Sequence, residues 1–185
     1  GLDHILFVLG LFFFALAWGP LLWQVTAFTL AHTVTLALAT LEVIVIPDAW
    51  MWLVEALIAA SITYVAVENI IRPRLGWWRP LVVFGFGLLN GLGFASVLGD
   101  LGLAQGRFIV SLIAFNIGVE IGQLAVILLA FVALLLSVAA ANLAPLNDEE
   151  NMASETPVMY RAISVCGSIV IAAIGAYWFV ERALL

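Results

Sequence analysis

The chain has 185 residues, of which 65% are hydrophobic and 10% are charged, and its mean hydropathy is +1.22. A soluble domain is about half apolar and about a quarter charged, so this composition excludes an ordinary soluble fold and indicates an integral membrane protein. The formal net charge is −6 and the chain has no cluster of Lys and Arg, which argues against nucleic acid as a partner.

Long apolar runs in chain order predict an all-α polytopic membrane protein with six transmembrane helices in one bundle, a single domain over 1–185. A hydrocarbon core about 30 Å thick requires about 20 apolar residues per helix. The predicted spans cover about 3–18, 24–46, 48–71, 80–98, 107–140 and 158–181.

Residues at the ends of these runs are typical helix signals. We expect Gly19-Pro20 to end the first helix, Pro47 to end the second and Asp48 to cap the third. The fifth run is longer than a bilayer requires, so its end is expected to project into water. The segment 142–157 is predicted to be a solvated acidic loop.

Six spans place both termini on one side of the membrane. Because Gly1 leads directly into an apolar run, the sequence leaves room for a signal peptide or an upstream domain. By the positive-inside rule, the arginine count predicts that the termini lie outside. The expected location is the bacterial inner membrane. The count near the helix ends is Arg72, Arg74, Arg79 and Arg161 on one side against Arg107 and Arg182 on the other.

The stretch 115–123, FNIGVEIGQ, places a carboxylate and two amides inside an apolar run. Spacings of four and three put Asn116, Glu120 and Gln123 on one helix face. A carboxylate inside a membrane usually faces a bundle interior or a wet cavity, because burying its charge in hydrocarbon is costly. Gly118 and Gly122 form a small-xxx-small surface that is expected to pack against a neighbouring helix.

Other spans bring further polar groups to a similar depth. A rise of about 1.5 Å per residue places His32, Glu55, Asn90, Asn116 and Glu120 near the midplane, and Asp3 and His4 near the outer edge. Imidazoles suit first-row transition metals, and carboxylates balance the charge of a divalent cation. The predicted metal ligands are therefore Asp3, His4, His32, Glu55 and Glu120, with Asn90, Asn116 and Gln123 as a supporting polar pathway.

Each polar residue also has a simpler interpretation as a packing contact. Amides and imidazoles in membrane helices often only hydrogen-bond across an interface, which we favour for Asn69, Asn90 and Gln123. For His32 the ligand and packing interpretations are equally supported. Glu68, like Glu42 and Asp100, lies near a helix end and is expected to be solvated.

Two further patterns bear on packing and on catalysis. The fourth run, FGFGLLNGLGFA at 84–95, has a surface of small residues, and Gly87 and Gly91 within it are predicted to pack against another helix. The chain contains neither HExxH nor GxSxG, so a metalloprotease or a serine hydrolase of those types is not indicated.

Five motifs in order resemble the HupE/UreJ family of small membrane proteins, which are regarded as nickel or cobalt permeases. They are GLDHILFVLGL at 1–11, FTLAHTVTLALA at 28–39, VEALIAASI at 54–62, FGFGLLNGLGFA at 84–95 and FNIGVEIGQL at 115–124. The resemblance implies that the metal pathway is formed by Asp3, His4, His32, Glu55, Asn90, Asn116 and Glu120. The chain departs from the family pattern at Asn90, where His is usual.

The expected function is a permease or metal-binding membrane protein for a divalent cation, nickel or cobalt first and copper or zinc as alternatives. The expected partners are the lipid bilayer, the metal ion, and other membrane subunits or further copies of the chain. An accessory subunit of a larger membrane complex is the second hypothesis, and an intramembrane metallohydrolase is the third.

Overall fold

The structure, a computed structural model, describes residues 1–14, 18–71, 78–100, 108–143 and 152–184. These residues form six α-helices, and a short 3₁₀ helix at Asp48–Trp50; no strand occurs among them. The predicted all-α bundle of six helices is confirmed. The helices are α1 Leu2–Phe14, α2 Trp18–Thr40, α3 Met51–Ile71, α4 Arg79–Asp100, α5 Phe108–Leu143 and α6 Met152–Leu184.

Within the described ranges, four helices are long and apolar enough to cross a membrane: Gly19–Thr40, Asp48–Ile71, Val110–Ala140 and Tyr160–Leu184. Leu2–Phe14 and Arg79–Phe94 are shorter apolar helices. Together with the composition, these helices define an integral membrane protein. α5 has 36 residues and is about 54 Å long, which agrees with the prediction that it exceeds the bilayer.

The short helix α1 lies in the interior and contacts α2, α3, α5 and α6. Its apolar residues Phe7, Val8, Leu11 and Phe12 are buried in the main core. The most extensive helix pairs are α2 with α4 and α3 with α6. Much of α5 presents exposed apolar side chains, as expected for a helix whose outer face meets lipid.

α2 and α4 approach closely because glycines of α4 lie against the backbone of α2. A Cβ at Gly87 would meet the carbonyl oxygen of Phe28, and a Cβ at Gly91 would meet the carbonyl oxygen of His32 and the hydroxyl of Thr35. The Thr35 hydroxyl also donates to the carbonyl oxygen of Leu88, 2.7 Å away. The glycines thus allow a side-chain hydroxyl of α2 to donate to the backbone of α4.

We expect Gly91→Ala to lower the free energy of unfolding by about 1–3 kcal/mol, because the added methyl group clashes with backbone that cannot rotate away. Thermal unfolding of the purified protein in detergent measures the change. Gly85→Ala is the matched control, since nothing lies within 4 Å of a Cβ at Gly85. Equal behaviour of the two variants would contradict the close approach.

The predicted ends of the first two helices were wrong. α1 ends at Phe14, and Gly19-Pro20 lies in the first turn of α2. A proline is tolerated in a first turn because the backbone N–H groups there have no acceptor within the helix. α2 ends at Thr40, six residues before the predicted end at Ile46. Glu42 has a φ of 57°, and the amides of Glu42 and Val43 donate back to α2 carbonyls, which is the Schellman arrangement for ending a helix.

Two further end predictions need correction. The N-cap of the segment that leads into α3 is Pro47, and no side chain caps that end, so Asp48 is not the cap. α6 begins at Met152, so the predicted acidic loop 142–157 is helical at 142–143 and from Met152 onward. Residues 144–151 lie outside the described part of the chain.

A buried polar network joins the helices at one end of the bundle. The guanidinium of Arg79 is 1% exposed and forms an ion pair with Glu68 at 2.9 Å. Its Nε donates to Gln24 at 3.0 Å and its Nη2 donates to Asn69 at 3.2 Å. The group also lies over the ring of Phe14, with Cζ 3.6 Å from the ring centre.

This network corrects two predictions. Glu68 is buried and paired, not solvated, because a cation from the next helix reaches it. Arg79 is not a free loop charge, so the arginine count that supported outward termini falls from four against two to three against two. Arg72, Arg74 and Arg107 lie outside the described residues. Asn69 lies in the packing network, and donates to the carbonyl oxygen of Gly10 at 2.7 Å.

Candidate metal-binding site

Two histidines from different helices meet inside the bundle. His4 lies in the first turn of α1 and His32 lies in the second half of α2. Their ring centres are 5.2 Å apart and the rings are nearly perpendicular, at 83°. His4 is 7% exposed and His32 is fully buried. This placement corrects the predicted depths, because His4 and His32 lie side by side and not at the edge and the midplane.

Aromatic rings surround the histidine pair. Phe28 lies 5.6 Å from His4 and Phe94 lies 5.7 Å from His4, measured between ring centres. Phe94 and Phe115 lie 6.1 Å and 6.4 Å from His32. The pair therefore sits in a largely apolar environment formed by α2, α4 and α5.

Three of the four ring nitrogens lack a hydrogen-bond partner among the described residues: Nε2 of His4, and Nδ1 and Nε2 of His32. Buried polar groups nearly always have a partner, and a missing one calls for an explanation such as water or an ion. A bond between a metal ion and an imidazole nitrogen is about 2.1 Å long, and the two ring centres lie 5.2 Å apart. Neutral imidazoles with free nitrogens are the ligands that nickel, cobalt, copper and zinc accept.

A cavity of about 430 Å³ opens beside the pair, between α1 and α5. His4 and Gln123 line it, and so do the aromatic rings of Phe94 and Phe115. Gly118 and Gly122 also line it, and a Cβ at either would meet nothing within 4 Å. These glycines therefore border the cavity and do not pack against a helix in the described structure, in contrast to Gly87 and Gly91.

The polar stripe of α5 faces hydroxyl groups of α2. Thr33 donates to Oδ1 of Asn116 at 2.7 Å, and Thr29 donates to Oε1 of Gln123 at 3.1 Å. Asn116 and Gln123 are buried, at 6% and 3% exposure. The predicted helical stripe thus exists. Hydroxyl groups of α2 donate to its two amide oxygens, and Nδ2 of Asn116 donates to the carbonyl oxygen of Leu112 in α5 at 2.8 Å.

None of the three predicted carboxylate ligands joins both histidines in a metal centre of the described residues. Asp3 forms a partly exposed ion pair with Arg182 at 3.3 Å. Glu55 is exposed, and Glu120 is partly exposed and accepts a weak hydrogen bond from Thr26 at 3.5 Å. Within the described residues, no three His, Cys, Asp or Glu side chains come together as a metal centre.

These positions correct the predicted five-residue metal site. Helical depth alone placed the carboxylates at the level of the histidines, but rotation about each helix axis directs them elsewhere. Asn90 is buried, and its amide donates to the carbonyl oxygen of Phe86 in its own helix at 2.9 Å. The structure therefore brings together only His4 and His32 of the predicted ligands.

The aromatic enclosure was not predicted from the sequence. Phe28, Phe94 and Phe115 stand among many apolar residues, and nothing in their spacing marks them. One available signal was the position of Phe94, because it follows the glycine-rich run that lets α4 approach His32.

A bundle of apolar helices that encloses two histidines with free ring nitrogens defines an integral membrane protein with a candidate metal site. The family model described as HupE / UreJ protein matches residues 1–182, and the chain belongs to this family. Family membership supports a role related to nickel or cobalt transport in general. The chain has no match among curated proteins or among solved structures.

Proposed function

We propose that this protein passes a divalent transition metal ion, nickel or cobalt, across the membrane, and that His4 and His32 bind the ion on its way. The observation that carries the proposal is the contact between two buried imidazoles, three of whose four nitrogens have no hydrogen-bond partner among the described residues, with His4 also lining a cavity. Burying a ring nitrogen without a hydrogen-bond partner costs free energy. Coordination of a transition metal ion would remove that cost, because neutral imidazole nitrogen is a ligand for such ions.

The polar groups between α2 and α5 would line the path of the ion through the membrane and would not coordinate it together with His4 and His32. A groove of about 250 Å³ between α2 and α5 is lined by Thr26, Thr29, Thr33, Asn116 and Glu120 together with apolar side chains. Its hydroxyl, amide and carboxylate oxygens suit a hydrated cation. We place the protein in the bacterial inner membrane with its termini outside, which the remaining arginine count supports weakly.

The test is metal binding by the purified full chain in detergent. We expect about one nickel or cobalt ion per chain, and X-ray absorption spectra with imidazole nitrogen in the coordination sphere. Zinc and copper, tested in parallel, show which metal is preferred. A protein that binds no divalent metal, and copurifies in fixed ratio with another membrane protein, would instead support the accessory-subunit hypothesis.

The HupE/UreJ family consists of permeases and accessory proteins, so we propose no enzymatic activity. Uptake in cells complements the binding test, because binding alone does not distinguish a permease from a metal store. We expect cells that produce the protein to accumulate more nickel or cobalt than cells that produce the His4→Ala variant.

A further inference from the structure

The groove between α2 and α5 brings polar groups to the outer surface of the bundle at the depth of the bilayer centre. Thr29, which lines the groove, is the middle residue of the 23-residue helix α2. We propose that a second copy of this chain covers the groove, so that the faces of α2 and α5 form the interface of a two-fold symmetric dimer. This dimer goes beyond the function proposed above, and its formation does not depend on metal binding.

The first support is the exposure of polar groups where a single chain would meet lipid. Thr26 is exposed and Glu120 is partly exposed, and both line the groove. Three apolar residues that also line it are exposed, Leu30 by 60%, Ile113 by 53% and Ile117 by 54%. Carboxylates inside membrane spans almost always face protein or a water-filled cavity, because hydrocarbon satisfies none of their hydrogen bonds. A protein surface across the groove would shield Glu120 from lipid.

The second support is that this face is complementary to itself. The hydroxyl of Thr26 lies 3.5 Å from Oε1 of Glu120, at the long limit of a hydrogen bond, and among the described residues neither side chain has a second hydrogen-bond partner. In a two-fold dimer the same patch of both copies forms the interface. Thr26 of each copy would then donate to Glu120 of the partner subunit, so one geometry satisfies both pairs. A second copy therefore supplies the complementary groups that the groove requires.

The third support is the apolar part of the groove. Helices associate in lipid through side-chain packing and hydrogen bonds between helices, because lipid tails are as apolar as the side chains themselves. Leu30 comes from α2 and Ile117 comes from α5, so each helix contributes an exposed apolar side chain to the groove. In the dimer these side chains would pack against the partner subunit and separate the contacts between Thr26 and Glu120 from lipid.

The first test is disulfide cross-linking of the full chain in native membranes. Cys166→Ser removes the single native cysteine, and Ile117→Cys is introduced into that background. We expect oxidation to give a covalent species of twice the chain mass, because Ile117 lies at the proposed interface. Val170→Cys is the matched control, since Val170 is 57% exposed and belongs to α6, which packs mainly against α3. Equal cross-linking of both variants would overturn the dimer, and so would a cross-link from Ile117→Cys only to a protein of another mass.

The second test counts chains by single-molecule photobleaching of the fluorescently tagged full chain in liposomes at several protein-to-lipid ratios. We expect two bleaching steps per particle. Thr26→Val/Glu120→Leu should raise the dissociation constant of the dimer by about tenfold or more, because the dimer loses two symmetric hydrogen bonds between helices. Ser137→Ala should leave it unchanged, since this exposed hydroxyl of α5 donates to Ala133 in its own helix. A natural chain that stays monomeric at every ratio, or a double variant that dimerises as tightly as the natural chain, would overturn the proposal.

Discussion

Replacement of Arg79 by Met is expected to lower the free energy of unfolding by about 3–5 kcal/mol, the largest stability effect we predict. The substitution leaves the buried carboxylate of Glu68 without its cation, and removes the donors that satisfy Gln24 and Asn69. These partners come from α2 and α3, so the loss loosens the end of the bundle where α1 and α4 also meet. Thermal unfolding in detergent measures the effect.

Two control variants distinguish the effect of breaking a buried ion pair from the effect of removing any arginine charge. Arg182→Met breaks the partly exposed pair with Asp3, and should change stability by no more than about 1 kcal/mol. The double variant Glu68→Leu/Arg79→Met should recover part of the loss, because it leaves no unpaired buried charge. If Arg79→Met were as mild as Arg182→Met, the ion pair would not be buried as described.

The second large effect concerns metal binding. We expect His32→Phe to weaken nickel binding by about 100-fold or more, since supporting residues alone change metal affinity by about 10-fold to 100-fold. Phe preserves the ring contacts of His32 with His4 and Phe115, and removes two unpartnered buried nitrogens. The variant should therefore be at least as stable as the natural chain. Binding and thermal unfolding of the same preparation test both statements.

Glu120→Gln is the matched control for this prediction. Glu120 is a predicted ligand that the structure places at the α2–α5 groove, where it accepts a hydrogen bond from Thr26. We expect its substitution to change nickel affinity by less than about threefold, because a residue outside the coordination sphere contributes only indirectly. If Glu120→Gln lost nickel binding while His32→Phe bound nickel normally, the metal site would lie in the groove and not at the histidine pair.

The helix ends show where sequence signals were ambiguous. Gly-Pro is compatible with the end of one helix and with the first turn of the next, because a proline needs no N–H partner at either place. The end of α2 at Glu42 had no glycine to mark it, and a non-glycine residue with positive φ is uncommon. Local composition therefore predicted that helices exist more reliably than where they end.

The polar residues show a different limit. Spacing along α5 correctly placed Asn116, Glu120 and Gln123 on one stripe, because helical periodicity is a property of one segment. The spacing could not show that Thr29 and Thr33 of α2 donate hydrogen bonds to the amide oxygens of the stripe. Those contacts depend on the rotation of the two helices relative to each other. The same uncertainty applied to Glu68, which was expected to be solvated near a helix end and instead pairs with the buried Arg79.

The sequence alone determined that this protein is helical and spans a membrane, because apolar length and composition decide that outcome segment by segment. Its motifs also determined its family, which the match over residues 1–182 confirms. Only the tertiary structure decided that His4 meets His32, that no described acidic side chain completes a metal centre with them, and that Arg79 is buried. Those contacts join different helices, so they depend on helix rotation and close approach, which no single segment encodes.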